Sequence, residues 1–449
     1  MRRFLALIFC LSFSVSPLVP CDFAQSPAPA RSASSVLDTD VAQLHYDDLA
    51  RDLLQTPPGS VHDLFAGVLA DRTSRFDDAL RLLTPLLSDT TLSASRRALV
   101  LGSLADVSVK LFHYAAASKL YNHLLSTAAD GLPPVLLKDD QDDSATLKLL
   151  VNAPPQTIRL DGSTPAAPAV DLRTHSDPLR DITVHLTVHG VKAPWILDTG
   201  ANFSTVSASF AHRLGLAPSQ EAAQTEGVTG AENPLHTAIL DTLTIGHATL
   251  HNVVVLILPD ANLTIRIRSG GKRPYVIPAI LGYPVFQSLG TIRFRHRRFQ
   301  AGNLLPVSGD AASSDGSSPI YMEKLNVLFS CRSYGLARSF LFDSGANSSN
   351  FYLPYYHDFP AAFLHPKRAT RSSSGVGGSA SDQVYLLDNV DLELAGRTVE
   401  LQHIPVSISP QHTLSDEFEG SLGRDLISNT GSLTLDLAHD SVYAGSVRN

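Results

Sequence analysis

The segment Trp195-Ile196-Leu197-Asp198-Thr199-Gly200-Ala201 places two apolar residues before a carboxylate and follows that carboxylate with a tight Thr-Gly turn. The pattern occurs again as Phe340-Leu341-Phe342-Asp343-Ser344-Gly345-Ala346, in which the acid lies 145 residues after the first one. In both copies a hydroxyl residue, a glycine and an alanine follow the acid. A site that needs two carboxylates can be assembled from two such half-sites, so this repeat decides the expected architecture.

The repeat extends well beyond the two acids. Similar segments at 240–246 and 387–392 each precede a strand-like run, and Gly290 and Gly431 each begin another strand-like run. Between them lie Ile280-Leu281-Gly282 in the first copy and Ser421-Leu422-Gly423 in the second. The four landmarks keep their order at offsets of 145, 147, 141 and 141 residues, which indicates an internal duplication.

With 449 residues, the chain is long enough for two or three domains. Hydrophobic residues make up 44% and charged residues 17%, a composition that can offset chain entropy and is typical of a folded protein. The net charge of −8 and the lack of a long basic run argue against nucleic acid as a partner. Of the three cysteines, only Cys331 lies well away from the N-terminus, so we expect no disulfide framework.

The N-terminus has the pattern of a signal peptide at 1–24, with Arg2 and Arg3, an apolar run and then small residues. We therefore expect an exported protein, periplasmic or secreted, without a membrane span after signal removal. A short membrane anchor is an alternative, although the apolar run falls short of the roughly 20 residues that a spanning helix needs. Lipid attachment at Cys21 is another alternative, which Pro20 disfavours because that position requires a small residue.

Residues 38–128 are predicted to be α-helical, because apolar residues recur at spacings of three and four and glycine is scarce. Gly67 and Ala79 stand 12 residues apart, as do Ala105 and Ala117, and the second pair follows the first by 38 residues. These small residues resemble the helix-crossing positions of tetratricopeptide (TPR) repeats. The resemblance implies a small TPR-like domain that docks a protein partner, and an unspecialised helical bundle is the alternative.

The rest of the chain is predicted to be mainly β. Ile182–Val188 alternates apolar and polar residues in period two, and His189-Gly190 gives a hairpin turn before the next strand. A poorly patterned connector before these strands predicts that the helices form an independent domain. The predicted layout is a flexible leader at 25–37, helices at 38–128, a connector with one or two strands at 129–180, a first β lobe at 181–305, a linker at 306–319 and a second β lobe at 320–449.

The duplicated motifs resemble the retropepsin-like aspartic peptidases, in which an apolar-apolar-Asp-(Thr/Ser)-Gly-Ala loop is supported by a later apolar-apolar-Gly strand. Two copies in one chain resemble the single-chain pseudo-dimers of pepsin architecture, and the resemblance covers residues 181–447. It implies two acid-protease β lobes in tandem, with Asp198 and Asp343 as the catalytic dyad. It also implies that these residues support the active-site loops: Thr199, Gly200, Ala201, Ile280, Leu281, Gly282, Ser344, Gly345, Ala346, Leu422 and Gly423.

Two carboxyl groups at hydrogen-bonding distance cannot both ionise, so Asp198 and Asp343 are expected to share one proton. One group then activates water while the other donates a proton to the substrate carbonyl. We expect no cofactor and no metal ion, and the 17 histidines show no metal-binding spacing. Ala201 and Ala346 cannot donate a hydroxyl hydrogen bond to the neighbouring carboxylate, which predicts that the dyad has a higher pKa than in pepsin-type enzymes, where serine or threonine is common there.

Glycine-rich hairpins are expected to close over the substrate as flaps. The candidates contain Gly227 and Gly230 in the first copy and Gly375 and Gly377 in the second. Gly230 and Gly375 each follow the acid of their own copy by 32 residues. Two ordinary surface loops are the alternative.

These features predict an aspartic endopeptidase that works as a monomer on extended peptide or protein substrates. The alternative is a catalytically silent peptide-binding module whose helices dock a protein partner. Inhibitor-sensitive cleavage of an unstructured protein would distinguish the two.

Overall fold

The protein is seen in a computed structural model that describes residues 33–161, 168–178, 180–226, 232–265, 274–302, 304, 316–375, 378–410 and 417–445. The predicted signal peptide at 1–24 lies outside these residues. Among the described residues, no helix has the length and apolar character that crossing a membrane requires. The α-helices are α1 (Ala33–Ala42), α2 (Tyr46–Leu53), α3 (Ser60–Arg72), α4 (Phe76–Leu83), α5 (Ala94–Lys110), α6 (Tyr114–Thr127), α7 (Pro134–Leu149), α8 (Ala208–Arg213), α9 (Tyr283–Leu289), α10 (Leu353–Asp358) and α11 (Arg424–Thr430).

The strands predominate after residue 156. They are β1 (Thr157–Leu160), β2 (Val170–Arg173), β3 (His175–Ser176), β4 (Ile182–Val188), β5 (Val191–Leu197), β6 (Ser204–Ser207), β7 (Ala223–Glu226), β8 (Glu232–Ile245), β9 (Ala248–Leu258), β10 (Thr264–Ile265), β11 (Tyr275–Val276), β12 (Ala279–Leu281), β13 (Thr291–Arg295), β14 (Arg298–Ala301), β15 (Ser318–Glu323), β16 (Asn326–Ser333), β17 (Leu336–Phe342), β18 (Asn350–Phe351), β19 (Lys367–Gly375), β20 (Gly378–Leu394), β21 (Arg397–Ser407), β22 (Gly420–Leu422), β23 (Ser432–Asp436) and β24 (Ser441–Ala444).

The first six helices form three successive pairs, α1–α2, α3–α4 and α5–α6, each joined by three residues. The middle residue of each turn has a positive φ, 54° at Leu44, 48° at Ser74 and 60° at Phe112. The next amide reaches back five residues in all three turns, as in the 2.8 Å bond from His45 N to Asp40 O. One turn geometry is thus used three times, once more than the sequence pattern indicated.

The small residues of the predicted repeat lie where these helices pack. A methyl group added at Gly67 would lie 2.6 Å from Leu83 Cγ. Ala79, Ala105 and Ala117 are fully buried. Their size therefore sets how closely the paired helices approach.

Three boundaries expected from composition differ from the structure. α1 begins inside the expected leader, because its buried Leu37 packs against the other helices despite the Ser-rich surroundings. α7 occupies part of the expected connector, and acidic residues on its inner face concealed it from a search for apolar periodicity. β15 begins at Ser318, within the expected linker.

The first β unit, β3 to β14, places the strand before the first acid at its centre. β4 and β5 form the predicted hairpin, and its turn residues His189 and Gly190 have φ values of 47° and 77°. β5, β12, β6, β9 and β8 then lie side by side in that order. β12 runs parallel to β5 and antiparallel to β6, while β6 runs parallel to β9. The loop after β5 therefore lies beside the end of β12.

The second β unit, β15 to β24, has the same arrangement around the second acid. β17, β22, β18, β21 and β20 lie side by side in that order. β22 runs parallel to β17 and antiparallel to β18, while β18 runs parallel to β21. In each unit a short helix follows the strand that runs parallel to the acid's strand: α9 follows β12, and α11 follows β22.

Six consecutive strands of a 13-stranded sheet join the two β units. β13 pairs antiparallel with β23, so that Ile292 lies opposite Leu435 and Phe294 opposite Leu433. β14 and β2 extend this sheet on one side, and β24 and β15 extend it on the other. Backbone hydrogen bonds therefore join the two β units. The ring of Phe294 also packs against the ring of Phe342, the residue before Asp343.

The helices share a hydrophobic core with the β units. Ala105, Val109 and Tyr121 belong to the same cluster of buried residues as Trp195 and Phe342. The prediction that the helices form an independent domain is therefore wrong. It rested on the weak patterning of the connector, which carries no information about contacts between a helix and a distant sheet.

Buried charges add a second connection between the helices and the β15–β16 hairpin. Arg72 donates to Asp106 at 3.0 Å and to Glu323 at 3.0 Å. Lys110 Nζ donates to Asp106 at 3.1 Å and to the Met322 carbonyl at 3.2 Å. Since buried charges are tolerated only when they are paired and hydrogen-bonded, this network holds the hairpin against α3 and α5.

The residue at the tip of the same hairpin, Lys324, binds α7. Its ammonium group contacts Asp139 and donates to Asp140 and Asp143 at 2.8 Å each. It also lies 5.8 Å from the centroid of the Tyr121 ring. Without this cation the three carboxylates on one helix would repel one another, so Lys324 anchors α7 to the second β unit.

Another cluster of ionisable side chains lies between α2 and the second β unit. His45 Nε2 lies 3.5 Å from Asp358 and 3.9 Å from Glu419, and Arg338 contacts Asp358. Burial, followed by the charge of Asp358, raises the pKa of Glu419 to about 8. The interface therefore contains a carboxyl group that is protonated at neutral pH.

Candidate active site

The loops after β5 and β17 bind each other through reciprocal hydrogen bonds. Thr199 Oγ donates to the Phe342 carbonyl at 2.9 Å and accepts the Ser344 N–H at 3.0 Å. Ser344 Oγ donates to the Leu197 carbonyl at 2.8 Å and accepts the Thr199 N–H at 3.0 Å. Both hydroxyl side chains are buried. These four bonds fix the preceding acids on facing loops.

The glycine after each hydroxyl residue lets the loops come close enough for the acids to meet. A methyl group at Gly200 would lie 2.8 Å from Asp343 Cγ, and one at Gly345 would lie 2.5 Å from Asp198 Cγ. Any side chain at either position would therefore displace the opposite carboxyl group. The structure brings together both acids that the sequence singled out.

The carboxyl groups of Asp198 and Asp343 hydrogen-bond to each other. Burial, followed by the charge of Asp343, raises the pKa of Asp198 well above its ordinary value. Burial also raises the pKa of Asp343. Because the two groups are strongly coupled, protons are gained and lost by the pair, and the singly protonated state is favoured.

The backbone around the two acids is not symmetric. Asp343 Oδ1 accepts the N–H groups of Gly345 at 2.8 Å and Ala346 at 3.0 Å. Asp198 Oδ1 accepts the N–H of Gly200 at 2.9 Å. Additional N–H donors stabilise the charged form of a carboxylate. This geometry therefore favours the shared proton on Asp198 and the negative charge on Asp343.

An ion pair between the two β units reinforces this asymmetry. Arg424 donates to Asp181 at 2.6 Å, and both side chains are buried. The same guanidinium lies 3.4 Å from the Gly345 carbonyl and contacts Asn347. Its positive charge opposes the rise that burial causes in the pKa of Asp343.

The loop of each acid is supported by the expected apolar-apolar-Gly strand. Asp198 N–H donates to the Leu281 carbonyl at 3.1 Å, and Asp343 N–H donates to the Leu422 carbonyl at 3.0 Å. The loops are also bonded to the start of the following helices, through Tyr283 N to Ala201 O at 2.8 Å and Arg424 N to Ala346 O at 3.0 Å. The remaining predicted support residues lie on the bracing strands or directly after them: Ile280, Gly282 and Gly423.

Two serines complete this support and were missed in the sequence. Ser204 Oγ accepts the N–H of Gly282 at 3.1 Å, and Ser349 Oγ accepts the N–H of Gly423 at 3.0 Å. Each serine follows the acid of its own copy by six residues, so extending the alignment of the two copies would have found them. Asp181, the partner of Arg424, could not be found by aligning the two copies, because it lies before the acid of the first copy and binds a residue of the second β unit.

Paired antiparallel strands flank both segments that contain the flap candidates. β7 pairs with β8 up to Glu226 opposite Glu232, and β19 pairs with β20 up to Gly375 opposite Gly378. Gly227, Gly230 and Gly377 lie outside the described residues, so the two tips stay predictions. Gly375 is the last residue of β19.

Among the described residues, two groups of side chains have the composition of a metal site, and both contain a competing cation. Asp139, Asp140 and Asp143 surround Lys324. The other group contains His45, Asp358 and Glu419, with Arg338 bound to Asp358. Both groups belong to the interface between the helices and the second β unit, and the ammonium and guanidinium groups already balance part of their negative charge.

Comparison with known proteins identifies part of this site. Residues 184–285 match the family described as aspartyl protease, a range that includes Asp198 and the strand that braces its loop. The chain is also similar to a retropepsin-like aspartic protease from Rickettsia conorii, whose crystal structure is known. The match covers 32% of this chain and 90% of the Rickettsia protein, with 14% sequence identity and a TM-score of 0.21. The chain has no match among curated proteins. The family match supports an aspartyl protease at this coarse level.

Proposed function

We propose that the protein is an aspartic endopeptidase whose dyad, Asp198 and Asp343, is formed within one chain. The observation that carries this proposal is the reciprocal bonding of the two loops, which places two coupled carboxyl groups in contact. The strand order that recurs around each acid supports two retropepsin-like lobes derived by duplication.

In the proposed reaction, ionised Asp343 accepts a proton from a water molecule while protonated Asp198 donates its proton to the carbonyl oxygen of the scissile peptide bond. The water oxygen attacks the carbonyl carbon and forms a tetrahedral diol. The C–N bond then breaks as the amine takes a proton from Asp343, and the diol returns a proton to Asp198. The dyad ends with one proton, as it began.

The helical region contributes to the proposed cleft. Ala145 and Leu149 of α7 pack against a buried apolar cluster that contains Ile196 and Ile280, and Ala201 packs against the same cluster. Ile196, Ile280 and Ala201 lie on the strands and the loop that carry or brace Asp198. We therefore propose that α7, which follows the TPR-like helices, forms a wall of the substrate cleft, and that docking of a protein partner by the TPR-like helices is secondary to this role.

The test is hydrolysis of an unstructured protein, with and without a transition-state-mimicking inhibitor of aspartic peptidases. Inhibitor-sensitive cleavage that is lost in Asp198→Asn and in Asp343→Asn, with circular dichroism unchanged, is the expected result. Initial rates should rise linearly with enzyme concentration, because one chain supplies both acids. Undiminished activity in either variant would refute the dyad, and binding of the inhibitor without turnover would favour the silent peptide-binding module.

The cellular location belongs to the same proposal. The Arg-containing N-terminus with its apolar run supports export to the periplasm or the medium. N-terminal sequencing of the mature protein should begin near residue 25.

A further inference from the structure

A basic pocket lies where β2, β3, β4 and the turn between β13 and β14 meet. Its volume is about 410 Å³, and Arg173, Arg180 and Arg297 line it together with His175 and His296. A pocket of this size accommodates an amino-acid side chain with its solvent. The local accumulation of positive charge is notable because the whole chain carries a net charge of −8.

The acid in the pocket wall does not neutralise these arginines. Asp181 is bound to Arg424 at 2.6 Å, on the side of the dyad. Among the described residues, Arg173, Arg180 and Arg297 make no ion pair, whereas the neighbouring Arg298 is paired with Asp171 at 2.6 Å. The pocket therefore presents guanidinium groups whose donors are available to a ligand, and a guanidinium fork matches a carboxylate in geometry.

The walls of the pocket are fixed by the sheets. Thr174 N–H donates to the Arg297 carbonyl at 2.9 Å, and Arg173 lies opposite Arg298 in the pairing of β2 with β14. On the other side, His175 pairs with Thr183 in the β3–β4 ladder. The segments that carry Arg173, His175 and Arg297 are thus held in one arrangement before any ligand arrives.

The pocket is separated from the dyad by one ion pair. Asp181 lines the pocket, and its partner Arg424 contacts Gly345 and Asn347 in the loop of Asp343. A substrate group in the pocket would lie beyond this ion pair, and so away from the scissile bond. The pocket is therefore suited to a residue remote from the point of cleavage.

We propose that this pocket binds a carboxylate of the peptide substrate, so that the protein prefers substrates with an acidic group several residues from the cleaved bond. This inference rests on the proposed function, because it names the substrate class of the same site. The carboxylate has two sources, an internal Glu or Asp side chain or the C-terminus of the peptide. Both would be held by the same guanidinium groups.

Binding is measured first, with the inactive Asp343→Asn protein and fluorescently labelled peptides that differ only by Glu or Gln at successive positions. We expect Glu to strengthen binding about tenfold at one position or two adjacent positions, and high salt to reduce this preference. The double variant Arg173→Gln with Arg297→Gln should bind Glu and Gln peptides equally. Arg298→Gln is the matched control, because that arginine is already paired, and it should keep the preference.

The source of the carboxylate is resolved by peptides with a free or an amidated C-terminus. A preference that follows the free terminus identifies the C-terminal carboxylate, and one that follows Glu identifies a side chain. Equal affinity for Glu, Gln, free and amidated peptides would overturn the proposal, as would a preference that survives the double variant. Arg180→Gln gives a second test at an exposed position, and it should weaken the preference for Glu peptides.

Turnover by the parent protein separates this inference from the proposed function. Cleavage of Glu and Gln peptides with equal kcat/KM would leave the peptidase intact and refute the pocket. Tighter binding of Glu peptides without any cleavage would support the pocket and refute the peptidase.

Discussion

Replacing Thr199 by valine tests whether the reciprocal hydrogen bonds between the two loops hold the site together. Valine keeps the shape of threonine but removes the Oγ that donates to the Phe342 carbonyl and accepts the Ser344 N–H. Both groups are buried with Thr199, which is 1% exposed. A buried polar group left without its partner costs about 1–3 kcal/mol, so losing two partners should cost about 2–4 kcal/mol, with the carbonyl at the lower end of the range.

That cost is a large fraction of the about 5–15 kcal/mol that stabilises a typical protein. Urea unfolding can be followed by the fluorescence of the single tryptophan, Trp195, which is fully buried on the strand that leads into the first acid. Thr199→Ser is the matched control, because it keeps the oxygen and loses one methyl group, at about 1 kcal/mol. Ser344→Ala should resemble Thr199→Val, since it removes the mirror-related pair of bonds.

The reasoning fails if Thr199→Val and Thr199→Ser lower the free energy of unfolding equally. The two hydrogen bonds of the Thr199 hydroxyl would then contribute no more to the stability of the loops than one methyl group does. Activity gives a second readout. Thr199→Val should lower kcat more than it raises KM, because the loop bonds position the dyad and do not contact the substrate.

Three further predictions concern charge. The pKa of Glu419 rises from 4.5 to about 8 on folding, so the folded state keeps a proton that the unfolded state loses. The free energy of unfolding should therefore fall as the pH rises from about 4.5 to 8. Glu419→Gln should flatten this dependence, which urea titrations at pH 5, 6.5 and 8 would measure. Lys324→Met should lower the free energy of unfolding by about 3 kcal/mol, because it leaves three clustered carboxylates without their cation. Lys367→Met removes an exposed ion pair and should leave the free energy of unfolding almost unchanged, so equal effects of the two substitutions would contradict the anchoring of α7. Ala201→Ser combined with Ala346→Ser adds a hydroxyl donor beside each acid, which lowers the pKa of the pair, so the pH optimum of kcat/KM should move downward; an unchanged optimum would show that burial alone sets it.

The sequence predicted the dyad, its support strands and the β4–β5 hairpin because each depends on residues close in the chain or repeated at a fixed offset. Asp198 and Asp343 were singled out together because the same pattern of apolar, acidic, hydroxyl, glycine and alanine residues surrounds each of them. The relation of the helices to the β units could not be found in this way. It depends on contacts such as Arg72 with Glu323, whose residues are 251 positions apart and carry no common pattern.

α7 was missed for a more specific physical reason. Methods based on periodicity assume that the inner face of a helix is apolar, whereas this helix turns Asp139, Asp140 and Asp143 toward a lysine of another unit. The ion pair of Asp181 with Arg424 escaped notice similarly, since either residue alone is an ordinary charged residue near a strand or helix terminus. The basic pocket could not be found from the sequence, because only one of its three segments, at the turn after β13, appears as a cluster of basic residues.

The anchoring of α7 by Lys324 has a consequence for the order in which the molecule is completed. Lys324 emerges from the ribosome 181 residues after Asp143, so α7 is synthesised long before the cation that relieves the repulsion among its acids. The ion pairs that hold α7 in place can thus form only after the first hairpin of the second β unit has been made. Asp343 follows within the next 19 residues of synthesis. The cation that anchors α7 and the second acid are therefore made close together in the order of synthesis.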